Sequence, residues 1–221
     1  MLTTTYARTE ITLTIAAGAL TTAVVAYFLG LWALVPALVA IALLMFYRNP
    51  PRRSPTDENV ILAPADGKIV EITRETEDAS GAQWHLRIMV FLSVFNVHVN
   101  RSPCAGRVVE VTYQPGEFLS ALRPEADTRN ESNTLTIEPQ APLPGPLSVR
   151  QIAGVLARRI VCTAEAGDEL VGGQRFGMIK LGSRTEVRLP EDSNWQVCVS
   201  VGDKVKAGLT VLARLGGPET G

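Results

Sequence analysis

The sequence predicts a mainly β fold preceded by a hydrophobic helical hairpin. Three observations lead to this prediction: an uncharged N-terminal stretch, a series of short strand-like segments after it, and two internal repeats. The chain has 221 residues and a formal net charge of -1. That length suits one compact domain with an appendage. The balanced charge argues against a protein that binds nucleic acid.

The uncharged stretch is too long for a single straight membrane helix. Residues 11–47 contain no Asp, Glu, Lys or Arg. As one helix they would be about 55 Å long at ~1.5 Å per residue, whereas a hydrocarbon core is about 30 Å thick. A break near Gly30 gives two stretches that are each close to the length of one crossing. We therefore predict a membrane hairpin.

The hairpin defines two predicted domains, a membrane anchor over residues 1–47 and a second domain over residues 48–221. Basic residues flank the anchor on both sides: Arg8 before it, and Arg48, Arg52 and Arg53 after it. The positive-inside rule then places both ends in the cytoplasm. A cleaved signal peptide fits less well, because the apolar stretch is too long and has no convincing cleavage site.

The chain after the hairpin is predicted to be mostly β. The linker RNPPRRSPTDEN contains prolines, which disfavour helix. Short runs rich in β-branched and apolar residues follow. The predicted strands are GKIVEI, LRIMVFLSVFNVHV, GRVVEV, TLTIE, RRIVC, RFGMIKL, TEVRL, WQVCVSV and LTVLARL. SVRQIAGVLARRIV stays ambiguous between helix and buried strand.

Two internal repeats predict a sheet folded on itself. APADGKIVEI at residues 63–72 matches SPCAGRVVEV at 102–111, and GDELVGG at 167–173 matches GDKVKAG at 202–208. Repeated strand and turn units with glycine at fixed places indicate half-motifs related by pseudo-symmetry. The GDxVxxG turns also resemble those of lipoyl- and biotinyl-type hammerhead domains. This resemblance implies a hammerhead or barrel-sandwich-like β domain.

The hammerhead resemblance leaves open a non-catalytic, membrane-anchored scaffold or carrier. A biotin or lipoyl carrier needs an exposed lysine at a hairpin tip, and Lys180 is the nearest candidate. Lys180 lies inside an apolar strand pattern instead, which disfavours a carrier.

The cysteines and histidines indicate neither a disulfide framework nor a metal site. Cys104, Cys162 and Cys198 are odd in number and lack CxxC spacing. We predict that they are buried reduced thiols, as is usual in a cytosolic domain. His85 and His98 are the only histidines, so no dedicated zinc site is expected.

Five sequence blocks in the predicted β domain occur in the order found in one enzyme family. They are APADG at 63–67, FLSVFNVHVNRSP at 91–103, GEF at 116–118, RNE at 129–131 and GQRFGMIKLGSR at 173–184. Together they resemble the phosphatidylserine decarboxylase proenzymes, specifically the short bacterial and archaeal kind. The resemblance runs from about residue 48 to the C-terminus, and the hydrophobic N-terminal anchor also fits the family.

The resemblance implies that the chain cleaves itself between Gly182 and Ser183. The Ser183 hydroxyl would attack the Gly182 carbonyl to form an ester, and β-elimination would then convert Ser183 into a pyruvoyl group, the covalent cofactor. The products would be a β chain of residues 1–182 and an α chain of residues 183–221, which stay associated. A glycine before the scissile bond hinders the attack least and tolerates a strained turn.

The resemblance also implies the reaction and the residues that carry it. The pyruvoyl group would form a Schiff base with phosphatidylserine, which loses CO2 and becomes phosphatidylethanolamine. His98, placed on a strand by the pattern NVHV, is the candidate proton donor. Asp66 is the candidate acidic partner, which either orients a histidine or helps to activate Ser183. The general base for self-cleavage stays open, and we interpret His85 as structural.

Arg184 has two interpretations. It could hold an oxyanion or the lipid phosphate, or it could be a solvent-exposed charge on a strand.

The predicted anchor would hold the β domain at the cytoplasmic face of the cell membrane, where a phospholipid headgroup can reach Ser183. Arg48, Arg52 and Arg53 would each favour an anionic surface by about 1 kcal/mol if they lie close to it. Alternatively, they only set the topology. Two other functions stay open: a pyruvoyl decarboxylase of another amino acid substrate, and the scaffold. The oligomeric state, including a homodimer, also stays open.

Overall fold

The fold is that of a computed structural model, which describes residues 3–77, 83–120, 123, 125–155, 159–180, 183–190 and 194–216. The chain divides into two compact units, residues 1–51 and residues 52–221. Each unit is described by itself below.

The N-terminal unit is an antiparallel pair of helices. A 3-10 turn, Thr5–Ala7, leads into helix α1, Arg8–Leu29, and a second 3-10 turn, Gly30–Ala33, leads into helix α2, Leu34–Phe46. Gly30 has a φ of 54°, a backbone angle that glycine adopts without strain, so the helix breaks where the sequence predicts. The helices pack closely, since a Cβ added to Gly18 would lie 2.6 Å from the Cβ of Ala40.

The side chains of this unit suit an apolar environment. Thr12 donates its hydroxyl to the carbonyl of Arg8 at 2.9 Å, so this polar group is satisfied inside α1. Many large apolar side chains face outward, with Leu31 85% exposed. By length and composition, the segment Thr5–Phe46 could cross a membrane, which is consistent with membrane association.

The C-terminal unit is mainly β, as predicted. Its described strands are β1 Val60–Leu62, β2 Gly67–Glu77, β3 Gln83–Leu92, β4 Val99–Arg101, β5 Gly106–Gln114, β6 Ser132–Pro139, β7 Leu147–Ile152, β8 Ile160–Cys162, β9 Glu169–Leu170, β10 Arg175–Ile179, β11 Ser183–Leu189, β12 Trp195–Val197, β13 Lys204–Val205 and β14 Val211–Leu215. A short helix, α3, covers Ala126–Arg129. In the ambiguous segment SVRQIAGVLARRIV, SVRQI belongs to strand β7 and the last two residues begin β8, while residues 156–158 lie outside the described residues.

The strands form three sheets in which all pairings are antiparallel. The largest has eight strands in the order β13-β2-β3-β11-β7-β6-β5-β9. Two three-stranded sheets have the orders β1-β14-β12 and β4-β10-β8. Strand β11, which begins at Ser183, therefore lies in the middle of the largest sheet between β3 and β7.

The eight-stranded sheet confirms the predicted pseudo-symmetry. Strands β13-β2-β3 at one edge correspond to β9-β5-β6 at the other edge. The first pair of repeated sequences forms β2 and β5, and the second pair forms β13 and β9. The register repeats as well: Gly67 pairs with Val205, and Gly106 pairs with Leu170. Both long strands then shift register shortly after their first residues.

Close backbone contact explains the glycine that begins each repeated strand. A Cβ added to Gly67 would lie 2.1 Å from the carbonyl oxygen of Phe91 on the neighbouring strand. A Cβ added to Gly106 would lie 2.4 Å from the carbonyl oxygen of Glu138. Neither position has room for a side chain, so the repeated glycine is a packing requirement.

The core consists of apolar side chains from most of the strands of this unit. Fully buried examples are Ile69, Ile88, Val90, Leu135, Ile137, Val149, Val187 and Leu189. Each side chain of this size stabilises the fold by about 1.5–3 kcal/mol relative to an exposed position.

The predicted strand LRIMVFLSVFNVHV is wrong in its second half. Strand β3 ends at Leu92, and a strand resumes only at Val99. The side-chain oxygen of Asn96 accepts hydrogen bonds from the backbone N–H and the hydroxyl of Ser93, at 2.9 and 2.8 Å. This local side-chain contact forms a turn that interrupts the strand.

The cysteines are free thiols, as predicted, but only Cys104 is buried. Cys162 is half-buried and Cys198 is exposed, because β12 ends at Val197 and Cys198 lies beyond it. The prediction of three buried thiols is therefore wrong for Cys198, and Cys162 is buried only in part. Burial raises the pKa of the Cys104 thiol to about 12.

Alanine at either repeated glycine should destabilise the protein. We expect Gly67→Ala and Gly106→Ala each to lower the free energy of unfolding by about 2 kcal/mol or more, because the new Cβ forces the adjacent backbone to move. Thermal unfolding of the full chain in detergent measures the change. The neighbouring exposed positions provide the controls Lys68→Ala and Arg107→Ala, and equal effects in all four variants would contradict the packing explanation.

Thiol alkylation should follow exposure. At pH 8 we expect iodoacetamide to label Cys198 in the folded protein and to label Cys104 only after denaturation, because the reactive thiolate of Cys104 is scarce well below its pKa. Peptide mass mapping measures both sites. Equal labelling rates for Cys104 and Cys198 in the folded state would show that Cys104 is not buried.

Candidate active site

Ser183 is a buried residue whose hydroxyl makes no hydrogen bond with any residue that the structure describes. It is the first residue of β11 and pairs with Leu92, the last residue of β3. A buried hydroxyl is normally hydrogen-bonded, so this exception indicates a functional group. Gly182, the other half of the predicted cleavage site, lies outside the described residues.

The end of the sheet that carries Ser183 is also where several strands end or begin. Strand β3 ends opposite Ser183, β7 ends at Ile152 opposite Arg184, and β6 begins opposite Ile152. The three loops that begin or end here are described over residues 93–98, over 115–120 with 125–131, and over 153–155. Asn130 links two of them, because its side-chain amide donates to the carbonyls of Leu119 and Ala153, both at 2.8 Å.

His98 is fully buried and directly precedes strand β4, so the prediction that it lies on a strand is wrong by one residue. The His98 backbone carbonyl accepts a hydrogen bond from the N–H of Ile179 at 3.2 Å. The loop that contains His98 begins at Ser93, directly after Leu92, which pairs with Ser183. The Nδ1 atom lies 2.9 Å from the carbonyl oxygen of Asn96. A carbonyl only accepts hydrogen bonds, so Nδ1 is the donor in this contact, and Nε2 is an acceptor whenever the ring is neutral.

Asp66 directly precedes β2 and is held by Arg52. The two carboxylate oxygens accept hydrogen bonds from the two Nη atoms of Arg52, at 2.5 and 2.8 Å. The backbone N–H of Ala207 donates to Oδ1 at 2.8 Å. These three contacts involve neither His98 nor Ser183.

This contact corrects the prediction for Arg52. Its side chain is only 6% exposed, so it does not present its charge to an anionic surface. Arg53, the next residue, is exposed and can still do so.

A buried row of polar side chains lies beside Ser183, and sequence analysis did not identify it. Asn133, Gln151 and Thr185 are opposite one another on β6, β7 and β11, and Thr185 shares the face of Ser183. Asn133 donates to Gln151 at 3.2 Å, Gln151 donates to Asn100 at 2.9 Å, and Asn100 donates to Thr185 at 3.4 Å. Asn100 lies two residues after His98 in NVHVNR. This alternation of polar and apolar residues was the sequence signal that could have identified Asn100 as part of the site.

Arg184 belongs to a buried charged cluster on the opposite face of β11. It donates to Asp127 of helix α3, which also accepts a hydrogen bond from Arg87 at 2.5 Å, and Arg87 donates to Glu186 at 2.8 Å. Arg184 is 5% exposed, so the interpretation as a solvent-exposed charge is wrong. Burial of the Arg184 guanidinium is the main reason that its pKa is lower than usual. The contact with Asp127 favours a role in holding α3 against β11 over a role in substrate binding.

A cavity of about 620 Å3 is lined by Arg52, Arg101 and Arg175 among other residues of this unit. Its described lining includes neither Ser183 nor His98. We therefore build the candidate site on the buried groups around Ser183 rather than on this cavity.

Comparisons with known proteins show the family of this chain. The family model described as phosphatidylserine decarboxylase matches residues 39–213. A phosphatidylserine decarboxylase proenzyme from Rhodopirellula baltica is 48% identical over 187 residues, covering 83% of this chain and 76% of the relative. Proenzymes of the same name are 43% identical in Pelobacter propionicus, covering 91% and 88%, and 46% identical in Nitrosomonas eutropha, covering 86% of each chain. The chain belongs to the phosphatidylserine decarboxylase family.

Proposed function

We propose that this protein decarboxylates phosphatidylserine to phosphatidylethanolamine by means of a pyruvoyl group made from its own Ser183. The observation that carries the proposal is the Ser183 hydroxyl, buried at the start of the central strand without a hydrogen-bond partner among the described residues. Membership of a decarboxylase family supports the reaction class. The relatives are named proenzymes, which supports processing of a precursor.

Self-cleavage begins with the Ser183 hydroxyl. Its oxygen attacks the Gly182 carbonyl carbon and its proton passes to a base, after which the Gly182–Ser183 C–N bond breaks and the nitrogen takes up a proton. The result is an ester between the two residues. Loss of the Ser183 α-proton then expels the Gly182 carboxylate and leaves dehydroalanine, which water converts to a ketone with release of ammonia. The oxyanion of the first step requires hydrogen-bond donors near the attacked carbonyl.

The surroundings of Ser183 are compatible with its conversion into a pyruvoyl group within the folded protein. The hydroxyl that disappears makes no hydrogen bond with a described residue, so its removal costs no such contact. A pyruvoyl group at position 183 would supply a ketone that reacts with the substrate amine and a sink for the electron pair that carbon dioxide leaves behind. The protein has to position the substrate carboxylate and move protons.

We assign proton transfer to His98. The proton on Nδ1 is directed to Asn96, so Nε2 can accept the Ser183 proton as a base. After decarboxylation, the same atom can return a proton to the substrate carbon. We assign Asp66 to the orientation of this histidine or of Ser183.

The sheet supports continued association of the two chains after cleavage. Residues 183–221 would supply strands β11, β12, β13 and β14. Strand β11 pairs on both sides with strands of the other chain, β13 pairs with β2, and β14 pairs with β1. One broken peptide bond removes none of these pairings.

Exposed apolar side chains at the Ser183 end of the sheet support a substrate that resides in a membrane. Loop 93–98 exposes Phe95, which is 84% accessible, and nearby loops expose Phe118 and Val155. Exposed aromatic and aliphatic side chains at a protein surface often mark membrane contact. With the apolar helices and the positive-inside rule, they support a site at the cytoplasmic face of the membrane. The alternative is a water-soluble amino acid substrate.

Self-cleavage should depend on the Ser183 hydroxyl. We expect intact-mass spectrometry of the purified wild type to give two fragments split after residue 182, the smaller one lacking its amino group. Ser183→Ala should stay uncut because no nucleophile remains, whereas the control Ser200→Ala, in an exposed turn, should be cut normally. An uncut wild-type chain that is folded and inserted in a membrane would exclude this mechanism.

The apolar loop should matter only when the substrate is in a bilayer. We expect Phe95→Ser to lower the decarboxylation rate on phosphatidylserine vesicles by about tenfold, since burial of a large apolar side chain in the membrane is lost. The rate on dispersed short-chain phosphatidylserine should change less than twofold. Val201→Ser, at another exposed apolar residue, in the turn that precedes β13, is the control. Equal losses on both substrates would exclude a membrane role for Phe95.

A further inference from the structure

We propose that Arg52 is a positioning residue, which fixes the carboxylate of Asp66 for self-cleavage. The inference rests on the proposed function, in which Asp66 assists His98 or Ser183. It assigns a role in the site to an arginine that the sequence associates only with membrane topology or an anionic surface.

The contacts among Arg52, Asp66 and Ala207 close a ring. Arg52 binds both carboxylate oxygens of Asp66 and also donates from Nη1 to the Ala207 carbonyl at 2.8 Å. The Ala207 N–H returns a hydrogen bond to Asp66 Oδ1. The Asp66 side chain is 11% exposed. A planar guanidinium that binds both oxygens determines the orientation of a carboxylate more strictly than a single contact does.

The internal repeat shows that the β framework does not need this ion pair. In the aligned repeats, Ala105 occupies the position of Asp66, and Gly172 occupies the position of Ala207. Strand β5 nevertheless begins at Gly106 with the same register that β2 has at Gly67. An acidic residue is therefore unnecessary for the turn into the strand, which argues against a purely turn-forming role for Asp66.

The ring leaves Asp66 with capacity for one further partner. An ionised carboxylate offers about four acceptor positions, and Arg52 and Ala207 occupy three of them. Two of the three contacts are on Oδ1, so the remaining position is on Oδ2. Without Arg52, this buried side chain could rotate or lose its compensating charge.

The position of Asp66 in the sheet connects it with Ser183. Lys68 of β2 pairs with Phe91, and the next residue of β3, Leu92, pairs with Ser183. Strands lie about 4.8 Å apart, so the chain at Asp66 and the chain at Ser183 are roughly 10 Å apart across β3. The two side chains need a group between them at that separation, and His98 is the candidate.

A comparison of self-cleavage rates tests the proposal. The full-length precursor is synthesised in the presence of phospholipid nanodiscs, and intact mass is followed over time. We expect Arg52→Gln to be cut at least tenfold more slowly than the wild type. Arg53→Gln, which removes the same charge from the adjacent exposed position, should be cut within twofold of the wild-type rate.

A double variant separates positioning from stability. If Arg52 acts through Asp66, Arg52→Gln combined with Asp66→Asn should be cut no more slowly than Asp66→Asn alone. Additive losses, or a wild-type rate in Arg52→Gln, would overturn the proposal. Should Arg52→Gln fail to fold, Arg52→Lys replaces it, and a wild-type rate in that variant also overturns the proposal. Failure of the wild type to cleave would instead contradict the proposed function.

Discussion

The pairing of β11 with β3 and β7 is the constraint on which the rest of the structure depends. It buries Val187 and Leu189 in the core and ends at Ser183, so the hydrophobic contacts that stabilise the sheet also remove the Ser183 hydroxyl from water. The same pairings would keep the two halves of the chain together once the bond before Ser183 is cut. Stability and proposed processing therefore depend on the same strand.

The two halves of the eight-stranded sheet share their backbone framework, and the candidate catalytic residue Asp66 lies where their sequences differ. Gly67 and Gly106 meet the same packing requirement in the two halves of the sheet. Asp66 and Ala105 occupy equivalent positions, but only Asp66 has a carboxylate that can accept hydrogen bonds or orient another residue. The Asp66 carboxylate, which Arg52 binds, is present in only one half of the sheet. The other half forms the same strands without a carboxylate at that position.

The sequence predicted the features that depend on local pattern. Most strand segments, both repeats and the helix break at Gly30 follow from side-chain periodicity and from the backbone freedom of glycine. Non-local contacts were not predictable in the same way. Arg52 resembles the neighbouring linker arginines until its contact with Asp66 is seen, and the polar row joins Asn100 to Gln151 across two sheets. The turn after β3 depends on one side chain, Asn96, in an otherwise strand-like run.

The most direct measurement is reductive trapping of the substrate on the cleaved protein. Phosphatidylserine and cyanoborohydride are added together, and the modified peptide is identified by mass spectrometry. A covalent adduct on the peptide that begins at residue 183, absent when that residue is alanine, would be the result expected if Ser183 becomes the reactive carbonyl. An adduct elsewhere in the chain, or catalysis by a protein that cannot be trapped at residue 183, would contradict it.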